Sequence, residues 1–159
     1  EKWVTIKDDF TNIKLHMIGK LQTNKVKHAV KIFDYIHSLD SVKLAEKISS
    51  EQLKINKSLK IFIQINIGDE EQKIGIEIEQ LKSFYNKCTQ DLGLDIVGLM
   101  CLPPKEEQSA NYFLKMKELS ISVSLQELSM GMSGDYLKAV EYDSTFLRIG
   151  SKIFGERTR

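Results

Sequence analysis

The sequence has few of the residues that build disulfide or zinc sites, and it has almost no excess charge. Only two of its 159 residues are cysteines. They are Cys88 and Cys101, which are not in CxxC spacing, so we expect neither a disulfide framework nor a metal site. The net charge is +1, from 23 basic and 22 acidic residues. This balance argues against a general electrostatic grip on nucleic acid or on an anionic membrane surface.

Long hydrophobic runs and nucleotide motifs are also missing. No apolar run approaches the roughly 18 residues that span a bilayer, and the first ten residues contain no apolar signal-peptide core. We therefore expect a cytoplasmic protein with no membrane partner. No GxGxxG follows a predicted strand, which argues against a Rossmann dinucleotide site.

The sequence does contain six short runs rich in Ile, Val, Leu and Phe, which predict strands. They are Leu15–Gly19, Tyr35–Ser38, Ile61–Ile67, Ile96–Leu102, Leu125–Ser129 and Phe146–Gly150. A segment of helical periodicity fills each gap between them. Repeated βα units predict a parallel sheet with helices outside it.

Six βα units leave an open doubly wound sheet or part of a closed barrel as alternatives. A closed barrel needs eight units and usually at least about 200 residues. The chain begins without Met, and Trp3, Ile6 and Phe10 have the spacing of a helix face. We expect one domain over residues 1–159, an α/β fold of the (β/α)8 TIM-barrel type that lacks about the first two βα units.

Local signals predict several helix ends and one loop. Ser41 has the chemistry of an N-cap, and Gly93 that of a residue just past a helix C-terminus. The polar stretch 49–58, "SSEQLKINKS", predicts a loop before the third strand.

The ends of the first two strands carry polar side chains with two interpretations each. Gln22, Asn24 and Lys25 could hold a ligand, or the residues around them could cap the next helix. His16 could be a catalyst, although strand histidines are more often packed. "IHSLDS" offers His37 with nearby Ser and Asp, but these residues are too close in sequence to form a triad, and helix capping is the alternative.

The third and fourth strands add candidates that face the inside of the sheet. Gln64 and Asn66 alternate with isoleucines, so both project to one face, the interior of a barrel. Buried polar side chains need hydrogen-bond partners. Lys73 follows in the loop. Met100 is expected mainly to fill space.

The last two strands each end in a turn of small residues. Gly131, Met132 and Ser133 lie in "SMGMSGD", and Gly150–Ser151 follow the final strand. Small residues let backbone N–H groups approach an anion, and a following helix N-terminus favours negative charge. Two such turns after the last two strands match the phosphate site of many (β/α)8 barrels. The alternative is a plain strand, turn and basic tail.

The motifs, taken together, resemble one family. Six motifs occur in the order found in the pyridoxal phosphate homeostasis protein family, from residue 14 onward. They are "HMIGKLQTNK", "IHSLDS", "QINIGDEEQKIG", "GLMCLPP", "LSMGMSGDYLKAV" and "LRIGSKIFGER". The resemblance implies a pyridoxal 5′-phosphate (PLP) barrel related to the alanine racemase N-terminal barrel. It implies a PLP carrier or buffer without strong catalysis, which balances vitamin B6 and amino-acid pools.

The resemblance also implies residue roles. Ser133 and the Gly150–Ser151 turn would hold the phosphate, with Gly131 and Met132 in the adjoining turn. Arg148 would face the pyridine nitrogen and keep it unprotonated, which suits a carrier or a racemase-like site. Asn66, Met100 and the loop of Gln22 and Asn24 would line the pocket.

One departure from the family concerns covalent binding. The family's Schiff-base lysine belongs to a motif on its first strand, and we expect that motif upstream of Glu1. Lys152, where the family more often has a small residue, is expected to be a surface side chain. We therefore expect PLP to bind this chain non-covalently at best.

Two other functions remain as alternatives. One is a PLP-dependent racemase-like enzyme, and the other is a fragment without ligand. We expect the full-length protein to be a monomer and the fragment to be able to oligomerise through exposed sheet edges.

Overall fold

A computed structural model describes residues 9–68, 74–104 and 109–156. Trp3, Ile6 and Lys73 lie outside these ranges. Across the described ranges, no helix is both long and apolar enough to cross a membrane.

Six strands form a single parallel sheet in the order of the sequence. The strands are β1 (His16–Met17), β2 (Tyr35–Leu39), β3 (Lys60–Ile65), β4 (Asp95–Cys101), β5 (Glu127–Met132) and β6 (Phe146–Arg148). All six predicted strands are present, although β1 is shorter than predicted and β5 ends later.

Helices connect the strands, as the predicted βα repeat requires. They are α1 (Val26–Ile32), α2 (Val42–Lys54), α3 (Leu81–Asn86), α4 (Ser109–Ser122), α5 (Tyr136–Glu141) and α6 (Ser151–Phe154). A 3-10 turn, Thr23–Lys25, leads into α1, and a π-helical turn, Lys87–Asp91, extends α3. Ser41 caps α2 by accepting a hydrogen bond from the Leu44 amide.

Alternation along the strands separates two layers of side chains. On β3, Ile61, Ile63 and Ile65 belong to the main core between sheet and helices. Phe62 and Gln64, which alternate with them, are also buried and therefore face the other side of the sheet.

The sheet curves until its first and last strands meet through their side chains. The rings of His16 on β1 and Phe146 on β6 are 5.6 Å apart. A flat sheet would hold these two strands far apart, since neighbouring strands are about 4.8 Å apart. The described sheet is thus the greater part of a barrel, which favours the barrel alternative over the open sheet.

The predicted loop over residues 49–58 was wrong for its first part, because α2 continues to Lys54. Its polar residues have helical roles. Glu51 is buried, and its Oε1 accepts hydrogen bonds from Lys47 Nζ at 2.9 Å and from Lys54 Nζ at 2.8 Å. Gln52 accepts a hydrogen bond from the Leu59 amide.

Candidate functional site

The turn after β5 is shaped by a glycine and an aspartate. Gly131 has φ +89°, and a Cβ there would lie 2.6 Å from the Cβ of Ala139 on α5. The Met132 amide donates to Asp135 Oδ1 at 2.7 Å. The turn therefore places α5 tightly against the strand end, and the Met132 amide serves to close it.

Ser133 joins this turn to the one that follows β6. Its Oγ accepts hydrogen bonds from the Gly150 amide at 3.1 Å and the Lys152 amide at 3.4 Å. The structure thus brings together three predicted phosphate residues, Ser133, Gly150 and Ser151. A Cβ built at Gly150 would meet no atom within 4 Å, so open space lies beside this turn. Lys152 is exposed, with its Nζ 4.8 Å from the Tyr136 ring.

Arg148 ends β6, two residues before the Gly150 turn, and two of its three guanidinium nitrogens have hydrogen-bond partners. Nη1 donates to Ser129 Oγ and Nη2 to the Cys101 carbonyl, both at 2.8 Å. Its Nε is buried and, among the described residues, has no hydrogen-bond partner. Burial lowers the pKa of Arg148, but a guanidinium stays protonated in proteins. Nε–H is therefore a free donor suited to an acceptor such as a ring nitrogen.

Two histidines continue the polar contacts of Arg148 across the interior. His37 Nδ1 lies 2.8 Å from Ser129 Oγ, and His37 Nε2 lies 2.9 Å from His16 Nδ1. Burial, reinforced by His16 and Arg148, lowers the pKa of His37 to about 3. Burial also lowers the pKa of His16, against an opposing effect of Asp34. Both rings are therefore neutral at neutral pH.

Aromatic rings hold the two histidines in place. His37 stacks on Phe62 with centroids 4.2 Å apart, and His16 stacks on Tyr35 at the same separation. Phe146 meets the edges of this group, 5.7 Å from His37 and 5.2 Å from Phe62. The interior is thus a packed apolar layer crossed by one line of polar groups.

Two other predicted site residues, Met100 and Asn66, lie on or just beyond the neighbouring strands β3 and β4. Met100 is fully buried and pairs in register with Gln64 and Ser129, so it belongs to the inner layer. Asn66 donates to Glu77 Oε1 at 3.4 Å and lines, with Gln64, a cavity of about 130 Å³ at the ends of β3 and β4.

The loop of Gln22 and Asn24 lines a separate, open depression with Asp40 and Ser41. The structure describes no contact of this loop with Arg148.

Sequence reasoning missed Ser129 and underrated His16 and His37. The available signal was alternation. Ser129 precedes the small-residue turn on a buried strand, and a buried serine or histidine needs a partner. Within the described residues, no group of three or more His, Cys, Asp or Glu side chains is arranged to hold a metal ion.

Comparison with known proteins relates the whole chain to one family. A family model described as the alanine racemase N-terminal domain matches residues 5–158. The pyridoxal phosphate homeostasis protein of Aquifex aeolicus is 39% identical, over 99% of this chain and 72% of the relative. That of Haemophilus influenzae is 38% identical, over 92% of this chain and 66% of the relative. The chain thus spans roughly two thirds to three quarters of these relatives.

Solved structures show the same relationship. PipY of Synechococcus elongatus, solved with PLP bound, has a TM-score of 0.84 and 31% identity, covering 97% of this chain and 76% of PipY. An alanine racemase of Clostridium difficile has a TM-score of 0.73 at 12% identity, covering 98% of this chain and 43% of the racemase. The latter likeness concerns the fold alone.

Proposed function

Because this chain belongs to the pyridoxal phosphate homeostasis protein family, which contains the alanine racemase N-terminal domain, we propose that it binds PLP and serves as a PLP carrier or buffer. The observation that carries this proposal is the pairing of Ser133 with the Gly150 turn, two residues after a half-buried Arg148 whose Nε–H is buried without a partner among the described residues. A phosphate and a ring nitrogen need these two kinds of donor. The Aquifex and Haemophilus relatives are named for PLP homeostasis, and PipY binds PLP.

We assign the phosphate to Ser133, Gly150 and Ser151, in the space beside the Gly150 turn. Ser133 aligns the two turns through its hydrogen bonds to Gly150 and Lys152. Gly131 and Met132 shape the turn on the β5 side.

Arg148 receives the pyridine nitrogen through Nε–H. When bound, PLP supplies an aldehyde that reacts with amines and a ring that withdraws electrons most strongly when its nitrogen is protonated. Arg148 can donate a hydrogen bond but cannot give up its proton, so it keeps the nitrogen unprotonated. Weak electron withdrawal suits a carrier better than a transaminase. We also assign Met100, in the inner layer, and Asn66, at the cavity by the ends of β3 and β4, to the PLP site.

Calorimetric titration with PLP and with pyridoxine 5′-phosphate, which has no aldehyde, tests binding. We expect saturable binding of both, and binding of unphosphorylated pyridoxal weaker by about 10²-fold, since charged hydrogen bonds contribute roughly 1.5–3 kcal/mol each. Ser133→Ala and Arg148→Met should each weaken binding by about tenfold or more. Lys27→Gln, which removes an exposed cation on α1, serves as the control. No saturable binding by the unaltered chain would refute the proposal.

Borohydride treatment separates covalent from non-covalent binding. We expect the mass of the 159-residue chain to be unchanged after reduction in the presence of PLP. A reduced PLP–lysine product would contradict non-covalent binding while leaving PLP binding itself intact.

The non-enzymatic part of the proposal has its own test. Incubating the PLP-loaded protein with L-alanine or L-serine should produce no D-isomer on chiral chromatography. Turnover would favour the racemase-like alternative. We further propose that the protein acts in the cytoplasm, where its two buried free thiols, Cys88 and Cys101, stay reduced.

A further inference from the structure

We propose that Ser129 and His37 are positioning residues that hold the Arg148 guanidinium so that Nε–H is left for the pyridine nitrogen. This inference rests on the proposed PLP function. Neither residue belongs to the phosphate turns, and their roles follow from the contacts of the inner layer.

Arg148, Ser129, His37 and His16 form a line of hydrogen bonds in which every donor points the same way. Arg148 Nη1–H can only donate, so Ser129 Oγ accepts it. The serine hydroxyl then has its own hydrogen to place, and the nitrogen 2.8 Å away is His37 Nδ1. Because His37 Nδ1 accepts the serine hydrogen, His37 is the Nε2–H tautomer. Its Nε2–H then donates to His16 Nδ1 at 2.9 Å. Every group between Arg148 and His16 is thereby satisfied with both rings neutral.

The opposite direction leaves a buried group unsatisfied. If His37 Nδ1–H donated to Ser129, the serine oxygen would accept from both His37 and Arg148, and its hydrogen would have no acceptor among the contacts described. Ser129 is fully buried, and an unmade hydrogen bond there is costly. The same argument applies to a protonated His37, so the line keeps a second positive charge away from Arg148.

Two anchors fix the orientation of the guanidinium. Its five N–H groups lie in one plane, and the Ser129 and Cys101 contacts occupy one hydrogen on each Nη. Fixing two atoms of a plane against strands β4 and β5 leaves Nε with a defined direction. His37 does not contact Arg148 in this way but acts through Ser129, because its hydrogen bond fixes the orientation of the Ser129 hydroxyl.

Ring packing makes this line rigid. Phe62 stacks on His37, with an interplanar angle of 14°, and Tyr35 stacks on His16, with an angle of 7°. A packing role and a hydrogen-bonding role for His37 therefore coexist, and the test must separate them. The chain permits this with His37→Asn, which keeps an acceptor toward Ser129 without the ring, and His37→Phe, which keeps the ring without the acceptor.

The ligand-free protein is tested first, by ¹⁵N NMR of the unaltered chain. We expect neutral His37 in the Nε2–H form and a single sharp Arg148 Nε–H resonance. Ser129→Ala and His37→Phe should shift or broaden that resonance, and His37→Asn should leave it close to its original position. Ser120→Ala, which removes another buried serine hydroxyl on α4, is the matched control. If the Arg148 Nε–H resonance shifts in His37→Asn, which lacks the ring, and stays unchanged in His37→Phe, which keeps the ring, the positioning role is overturned.

Pyridoxine 5′-phosphate, labelled with ¹⁵N in its ring, gives the second readout. We expect Ser129→Ala and His37→Phe to weaken its binding roughly 10- to 150-fold, which corresponds to the loss of one hydrogen bond to a charged group. They should also move the ring ¹⁵N shift toward the protonated value. His37→Asn and Ser120→Ala should stay within about threefold of the unaltered chain.

The outcomes distinguish the two proposals. If the unaltered chain binds the probe and all variants bind equally with an unchanged ring shift, the positioning role is overturned and PLP binding stands. If the unaltered chain does not bind, both the proposed function and the role toward the ring nitrogen are overturned. Circular dichroism of each variant identifies misfolding, and Ser129→Ala, which removes one atom, remains informative if His37→Phe fails to fold.

Discussion

Gly131 is the residue on which the packing of α5 against β5 depends. Its φ of +89° is one that side-chain-bearing residues rarely adopt, and a Cβ would overlap Ala139. We predict that Gly131→Ala lowers the free energy of unfolding by about 2–3 kcal/mol, measured by urea denaturation. Gly134→Ala in the same turn, where a Cβ would meet nothing within 4 Å, should cost much less. Equal costs would contradict this account.

His37 makes stability depend on pH. Its pKa is lowered from 6.5 to about 3 by burial, His16 and Arg148. Below pH 6.5, the ordinary pKa of His37, the unfolded chain binds a proton at this residue, whereas the folded protein does not bind it until about pH 3. Protonation therefore favours unfolding. Stability is therefore present above pH 6.5 and is lost as the pH falls toward 3. We predict a loss from this group of about 1–2 kcal/mol between about pH 7 and pH 5.

Urea denaturation across this pH range measures the effect. The His37→Asn variant lacks the titrating group and should show a shallower fall in unfolding free energy with decreasing pH. Parallel curves for the two proteins would argue against a neutral buried His37.

Individual site residues differed in how far the sequence could predict them. Ser133, Arg148 and Gly150 sit in compact motifs, and the structure brings Ser133 and Gly150 into contact, although the binding roles of all three stay predictions. The contact between His37 and Ser129 joins residues 92 positions apart. No local pattern encodes such a pair. Only the curvature of the sheet brings the two side chains together.

At the scale of elements, α2 begins at a cap that the sequence predicted. Ser41 Oγ accepts from the Leu44 amide at 3.4 Å, a long hydrogen bond, so we place its worth near the low end for caps. Ser41→Ala should lower the unfolding free energy by about 0.5–1 kcal/mol. Ser50→Ala, an exposed position inside the same helix, should be neutral or slightly stabilising because alanine favours helix interiors. Thermal or urea unfolding of both variants decides, and a destabilised Ser50→Ala would contradict the capping argument.

Strands were easier to predict than the end of α2. Apolar runs such as that of β3 are buried on both sides, and their length and bounding residues identify them. The end of α2 was missed because its polar residues were expected to be exposed in a loop, whereas Glu51 and Gln52 are buried in the helix. Glu51 and Gln52 are buried by virtue of their lysine and backbone partners, and a pattern of polar letters does not reveal such partners.

At the scale of the whole molecule, the sheet has two edges that no described strand covers. β1 and β6 are the outermost strands, and their inner side chains already meet at His16 and Phe146. Curvature was predictable only as a consequence of the barrel family, because a βα repeat alone fits open sheets too. The unpaired backbone groups of edge strands are templates for association.

Exposed apolar side chains beside β6 add to this tendency. The two helices that flank β6 in sequence expose Leu137 (65%), Ile153 (67%) and Phe154 (85%). We predict that the 159-residue chain, prepared alone, associates reversibly with rising concentration in sedimentation velocity. Phe154→Glu should weaken that association by about tenfold or more, since burying a Phe side chain contributes roughly 1.5–3 kcal/mol.

The control for this last prediction is an equally exposed side chain on another helix. Leu53 on α2 is 79% exposed, so Leu53→Glu makes the same change of apolar side chain to carboxylate at comparable exposure. If association uses the β6 side, Leu53→Glu leaves the concentration dependence unchanged while Phe154→Glu shifts it. Equal shifts would indicate general charge repulsion. A monomer at every concentration would show that the exposed edges and helices of this chain do not drive self-association.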